Sequence, residues 1–174
     1  MTDNRTLWLQ TAIVSAVKAG QAILEVYNSA DMGIEKKADD SPLTLADRRA
    51  HTIIKADISG FGIPVLSEEG RDIPFAERKQ WQRMWIVDPL DGTKEFIKRN
   101  GEFTVNIALA EGGAPTMGVI YVPVTDALYF ADRERGAFKI DAFQQSGVGE
   151  RPPGGNGGME SIMNDAVRMP LQRE

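Results

Sequence analysis

Leu9, Ile13, Val17, Ile23, Leu24 and Tyr27 recur at three- to four-residue spacing, with Gln10, Lys18 and Glu25 between them. That rhythm predicts an amphipathic helix over residues 5–28. Gly20 weakens its middle by about 1 kcal/mol relative to alanine, which points to a close approach of another element there. Pro42 keeps Ser41 out of helical geometry, so the next helix is deferred to Thr44. It runs to about Ile58, with Ala46, Ala50, Ile53, Ile54 and Ile58 inward.

From Ile63 the period shortens. Ile63-Pro64-Val65-Leu66 and Trp85-Ile86-Val87 are short apolar runs suited to buried strands. Residues 104–109 alternate, turn at Glu111-Gly112-Gly113 and return through residues 117–122. A second pair, residues 127–131 and 137–140, flanks Arg133-Glu134-Arg135-Gly136. These read as antiparallel hairpins. The fold class expected is α+β, with two N-terminal helices packed on a largely antiparallel sheet.

The pattern breaks after Phe143. Residues 144–174 hold six of the 17 glycines and three of the nine prolines. Such a segment buries too little surface to offset its ordering entropy. The expected division is a folded lobe over 1–143 and a mostly disordered tail over 144–174. Within that tail, Ile162, Met163, Ala166 and Val167 could share one face of a short helix over 159–169. There are no internal repeats.

The 174 residues suit one ordinary domain. No apolar run approaches the ~20 residues of a membrane span. The N-terminus lacks the basic and apolar regions of a secretion signal, so a cytoplasmic location is expected. The absence of cysteine excludes a disulfide scaffold, a thiolate metal site and a cysteine nucleophile. Twenty Lys and Arg against 25 Asp and Glu leave a formal charge of −5, which disfavours nucleic acid as a partner. A small anion could still bind where a local cation reverses the field.

Candidate chemistry concentrates in Trp85-Ile86-Val87-Asp88-Pro89-Leu90-Asp91-Gly92-Thr93-Lys94-Glu95-Phe96. An apolar strand runs into two carboxylates three residues apart, with Pro89 limiting the turn between them. Both carboxylates, with the Leu90 carbonyl, could be aimed at one point, which suits a hard cation such as Mg²⁺. Gly92 lets a ligand approach the backbone, and Thr93 can open a short helix whose free N–H groups favour phosphate. Ordinary turn and N-cap chemistry would also use Asp-Pro, Asp-Gly and Thr93. Yet Asp-x-x-Asp-Gly-Thr arises only about once per 100,000 windows at average composition.

Ser67-Glu68-Glu69-Gly70 is a second acidic point. Taken alone, it is more simply a solvated strand end. Glu68 lies twenty residues before Asp88, however, a distance that lets two adjacent strands end side by side. Thr44-Leu45-Ala46-Asp47 has the form of a helix cap, with Asp47 near the helix dipole. Capping by itself accounts for Asp47. His51, the one histidine, reads as a helix-face residue, and Lys36 and Lys37 as part of a charged loop.

These strings resemble the metal-site signature of the inositol monophosphatase superfamily, a group of Mg²⁺-dependent, lithium-sensitive phosphomonoesterases. The segments Lys37-Ala38-Asp39-Asp40-Ser41-Pro42-Leu43-Thr44-Leu45-Ala46-Asp47 and Asp91-Gly92-Thr93-Lys94-Glu95-Phe96-Ile97-Lys98-Arg99-Asn100-Gly101-Glu102-Phe103-Thr104-Val105-Asn106 resemble its CysQ-type 3'(2'),5'-bisphosphate nucleotidase branch. The likeness runs from the first helix to about Phe138.

Carried over residue by residue, the resemblance implies that Glu68, Asp88, the Leu90 carbonyl and Asp91 hold Mg²⁺. Glu68 and residues 90–93 (Leu90, Asp91, Gly92 and Thr93) would hold the substrate. Asp47 and Thr93 would orient and deprotonate the attacking water. The implied reaction removes the 3'-phosphate of adenosine 3',5'-bisphosphate to give AMP, within sulfate assimilation. Peripheral association with the inner face of the cytoplasmic membrane is also compatible with the resemblance.

One departure is large. The family carries a second lobe with a late Trp-Asp metal ligand, whereas the last tryptophan here is Trp85. The chain therefore resembles a C-terminally truncated member, with a sheet face left open for self-association. Two alternatives follow: a catalytically incomplete member that binds metal weakly or acts only through partners, and a phosphatase of inositol monophosphate or fructose bisphosphate.

Overall fold

The protein is described here by a computed structural model covering residues 4–37, 42–146 and 158–170. Helix α1 (Asn4–Tyr27) and helix α2 (Leu45–Ile58) pack against each other and cover one face of a seven-stranded sheet. The strands follow sequence order: β3 (Val65–Ser67), β4 (Arg83–Asp91), β5 (Thr104–Glu111), β6 (Ala114–Val122), β7 (Ala127–Asp132), β8 (Gly136–Ile140) and β9 (Val167–Arg168). A two-stranded ladder, β1 (Glu35–Lys36) with β2 (Pro42–Leu43), lies apart from it. Asp39, Asp40 and Ser41 of the expected loop lie outside the described residues.

The α+β expectation holds, with one departure from antiparallel pairing. β3 runs parallel to β4, with Val65 opposite Trp85 and Ser67 opposite Val87. The short helix α3 (Phe75–Arg78) lies in the crossover between them. All later neighbours are antiparallel.

The core lies between the helices and the sheet. Ile13, Val17 and Ile23 of α1, Ile54 and Ile58 of α2, and Trp85, Val105, Ile107, Leu109 and Tyr121 of the sheet are buried together. At the start of α1, Arg5 bonds Glu111 at 2.5 Å and Asp132 at 3.0 Å, tying the helix to the ends of β5 and β7. By length and composition α1 could cross a membrane, but 72% of its most apolar window is buried inside the fold. It is built as a core helix.

Gly20 marks the close approach that the sequence suggested. A methyl group there would stand 2.4 Å from the Tyr121 ring and 3.2 Å from Pro123. The helix therefore gives up propensity at this position so that β6 can pack against it.

The expectation of a disordered tail is corrected where the chain is described. Helix α5 (Gly158–Asp165) buries Met159 and Ile162 in the common core, and β9 pairs with β8 through Phe138–Arg168 and Lys139–Val167. Phe143 is also fully buried, and Gln144 donates to the Tyr121 hydroxyl at 2.6 Å, so packing continues across the boundary expected after residue 143. The short helix expected over 159–169 is found over Gly158–Asp165 and gives way to β9 at Val167, and the averaged glycine and proline content concealed only that this segment packs into the core. Residues 147–157, with the Gly/Pro run before Gly158, lie outside the described residues.

Two stability outcomes follow. Gly20→Ala is expected to destabilise by about 1–3 kcal/mol despite alanine's better helix propensity, because the overpacking outweighs it. A higher denaturation midpoint in that variant would contradict the close packing. Ile162→Ala is expected to cost about 2–4 kcal/mol. An unchanged midpoint would show that α5 does not belong to the core.

Candidate active site

A register irregularity in β4 builds the centre of the site. Asp88 pairs with Asn106 and Asp91 with Thr104, so three steps on β4 face two on β5. Side chains alternate along a strand, and a separation of three would normally place these aspartates on opposite faces. The extra residue of a bulge cancels that alternation. Asn106, opposite Asp88, reaches Asp91 Oδ2 through its side-chain Nδ2 at 3.2 Å.

β3 supplies the third carboxylate. The Glu68 N–H donates to the Val87 carbonyl at 3.0 Å, continuing the parallel ladder and setting Glu68 beside Asp88. The twenty-residue spacing does reflect two neighbouring strand ends. Lys37 Nζ lies 3.1 Å from Glu68 Oε1 and 2.5 Å from Glu69 Oε1, so Glu69 and Lys37 join the cluster.

The electrostatic result is concentrated on Asp88. Burial, then the charges of Glu68 and Asp91, push its carboxyl up to about 7, and a hydrogen bond shared with Glu68 adds to the effect. Its Oδ1 is buried without a hydrogen-bond partner. Burial also raises Glu69, while Lys37 opposes that shift.

Helix α2 brings the second half of the site. Thr44 and Asp47 form a full capping box at its start. Asp47 Oδ2 accepts from the Thr44 N–H at 2.7 Å and from the Thr44 hydroxyl at 2.5 Å, and Asp47 is almost wholly buried. Its other oxygen, Oδ1, faces Thr93 Oγ1 at 3.2 Å. Thr93 Oγ1 also lies 3.3 Å from the Leu90 carbonyl. One carboxylate thus serves both the cap and the threonine, and the two readings of Asp47 are compatible.

Gly92 is required by backbone geometry. Its φ is +93°, and a Cβ would stand 2.7 Å from the Glu102 carbonyl oxygen. It caps the short helix α4 (Thr93–Lys98), whose Phe96 is buried against Tyr27 and Phe103. The turn carrying Asp91 and Thr93 is therefore anchored in the core from both sides.

The fold gathers all the sequence-derived candidates at one end of the sheet: Glu68 from β3, Asp88, Leu90 and Asp91 from β4, Gly92 and Thr93 at the α4 turn, and Asp47 from α2. Among the described residues, no three acidic or histidine side chains converge as a ready metal cage. The donor set nevertheless suits a hard divalent cation: an orphaned buried carboxylate oxygen on Asp88, two further carboxylates that raise its pKa, and a backbone carbonyl. The sequence marked the Glu68–Glu69 pair but not the engagement of Asn106, nor the pairing of Lys37 with both glutamates. Asn106 closes the segment 91–106, but its reach to Asp91 depends on the bulge. His51, taken as a plain helix-face residue, hydrogen-bonds through Nδ1 to Ser67 Oγ at 2.8 Å.

Known proteins share this fold and sequence. Over 120 residues the chain is 58% identical to 3'(2'),5'-bisphosphate nucleotidase CysQ of Salmonella typhimurium, covering 67% of this chain and 48% of that protein. It superposes on the crystal structure of CysQ from Bacteroides thetaiotaomicron with a TM-score of 0.76 and 46% identity, covering 94% of this chain and 58% of the other. An IMPase/NADP phosphatase solved with Mg²⁺ and phosphate shares the fold at a TM-score of 0.61 and 22% identity, over 70% of this chain and 46% of that one. The chain spans about half the length of the curated relatives it matches. Residues 4–158 match the inositol monophosphatase family, and the chain belongs to that family.

Proposed function

We propose that this chain carries the metal- and water-handling half of a Mg²⁺-dependent phosphomonoesterase acting on a nucleotide bisphosphate. Adenosine 3',5'-bisphosphate is the substrate and AMP the product, as in sulfate assimilation. The observation that carries this reading is the placement of Asp88, Asp91 and Glu68 beside the Thr93–Asp47 pair. The CysQ relatives support the substrate class.

Glu68, Asp88, the Leu90 carbonyl and Asp91 are the groups that would hold Mg²⁺. When bound, the cation supplies positive charge that offsets the charge developing on the phosphoryl oxygens. The bulge and the Asn106 hydrogen bond keep Asp91 aimed at the same place as Asp88. Residues 90–93 would line the scissile phosphate, with Gly92 permitting the tight turn that shapes them, and Glu68 borders the same space.

Proton handling falls to Thr93 and Asp47. The Thr93 hydroxyl donates to Asp47 Oδ1, which leaves a Thr93 Oγ1 lone pair to accept a hydrogen bond from water. As that water attacks phosphorus, its proton passes to Thr93 Oγ1 and the hydroxyl proton moves to Asp47 Oδ1. The bond from phosphorus to the 3'-oxygen breaks, the departing oxygen takes a proton from solvent to leave as the ribose hydroxyl, and Asp47 returns its proton to solvent to complete the cycle. The two hydrogen bonds from Thr44 hold Asp47 in line throughout. The same reading places the protein in the cytoplasm. It also extends to self-association through the outer sheet face, where Ile86 and Ile120 are exposed.

The test is phosphate release by the purified chain from adenosine 3',5'-bisphosphate, inositol monophosphate and fructose bisphosphate, with and without Mg²⁺. Release from the nucleotide should require Mg²⁺ and exceed that from the other two. Asp91→Asn should lower it by at least about 100-fold, since a charge-stabilising group in the transition state is lost. Unchanged turnover in Asp91→Asn would overturn the site. Absence of release from a folded chain would favour a catalytically incomplete member of the family.

A further inference from the structure

β3 is three residues long and, among the described residues, stands at the edge of the sheet with a strand neighbour on one side. Nevertheless it must present Glu68 to Asp88 within a tolerance of about half an ångström if the two are to act on one cation. Two backbone contacts help. The Glu68 N–H is held by Val87, and the Gly70 N–H closes the following turn on the Ser67 carbonyl at 3.0 Å. Neither relates the turn to α2, the element that carries Asp47.

The link to α2 is His51. It sits four residues after Asp47, hence on the same helix face, and its Nδ1 lies 2.8 Å from the hydroxyl of Ser67. Burial, then the nearby Lys55 charge, lowers the His51 pKa, so the imidazole is neutral near pH 7. A cavity of about 340 Å³ opens beside the pair, lined by His51, Lys55, Ser67, Ile73 and Trp81 among others. Packing is thus incomplete around the imidazole and the hydroxyl, and the hydrogen bond is the polar contact that joins them.

We infer that His51 and Ser67 form a positioning pair that registers the Glu68 turn against the helix bearing Asp47, and so tunes cation affinity without touching the cation. This rests on the proposed assignment of Glu68 and Asp88 as cation ligands. Groups that orient ligands from behind usually matter by one to two orders of magnitude in affinity, and a link acting through the backbone by less.

The experiment is calorimetric titration of the full metal-free chain with Mg²⁺, with thermal denaturation of each variant in parallel. Ser67→Ala removes one hydroxyl and His51→Leu places an apolar side chain against the cavity. Each is expected to raise the Mg²⁺ dissociation constant about three- to tenfold. The double variant should be no weaker than the worse single one, because one bond is lost in all three. His51→Asn, which presents an amide near the position of Nδ1, should recover most of the affinity. Unaltered Mg²⁺ affinity in both single variants, whether or not the melting temperature falls, would overturn the inference while leaving the metal site in place. Failure of the unmodified chain to bind Mg²⁺ would overturn the metal assignment and this inference together.

Discussion

Three carboxylates held at one end of a sheet repel one another, and the site is organised around that repulsion. Asp88 takes most of the strain, with a pKa near 7 set by burial and by Glu68 and Asp91. A carboxyl whose folded pKa lies above its ordinary value of 3.8 favours the fold while protonated. Without a cation, that contribution is lost as the pH rises from about 4 through 7. A divalent cation would remove the penalty and convert the liability into binding energy. Like-charge clusters of this kind are a mark of functional sites, since nothing in the packing of the core calls for one.

The surrounding fold explains how such a cluster is maintained. β4 is buried through Trp85, Val87 and Leu90, and the bulge after Asp88 is clamped by α4, whose Phe96 sits in an aromatic group with Tyr27 and Phe103. Gly92 has no room for a side chain, so the turn has few alternatives. On the other flank, the capping box fixes Asp47 before it meets Thr93. Core packing, a strand bulge and a helix cap therefore position the chemistry, and each uses interactions of ordinary strength.

Much of this was legible from residue order. Hydrophobic spacing marked both long helices, and the twenty residues from Glu68 to Asp88 marked two strands that end together. The Asp-x-x-Asp-Gly-Thr string marked the centre of the site. What could not be read depends on three-dimensional closure. Three-residue spacing alone does not show that Asp88 and Asp91 share a face, because the bulge that places them there is defined only against β5. Lys37, Asn106 and His51 reach their partners across 31, 15 and 16 residues, with no local pattern to announce the pairing. Helix α5 was anticipated as a short helix over 159–169, but its packing into the core was not, because the glycine- and proline-rich run before it dominates the average composition.

The most direct measurement is the ¹³C NMR titration of the Asp88 carboxyl in the full chain, assigned with Asp88→Asn, without metal and with saturating Mg²⁺. The account expects a midpoint near 7 without metal and a fall of at least about two units when Mg²⁺ is present, since a nearby cation favours the ionised form. A midpoint near 4 in the metal-free chain, unmoved by Mg²⁺, would contradict the claim that these carboxylates are held together for a cation.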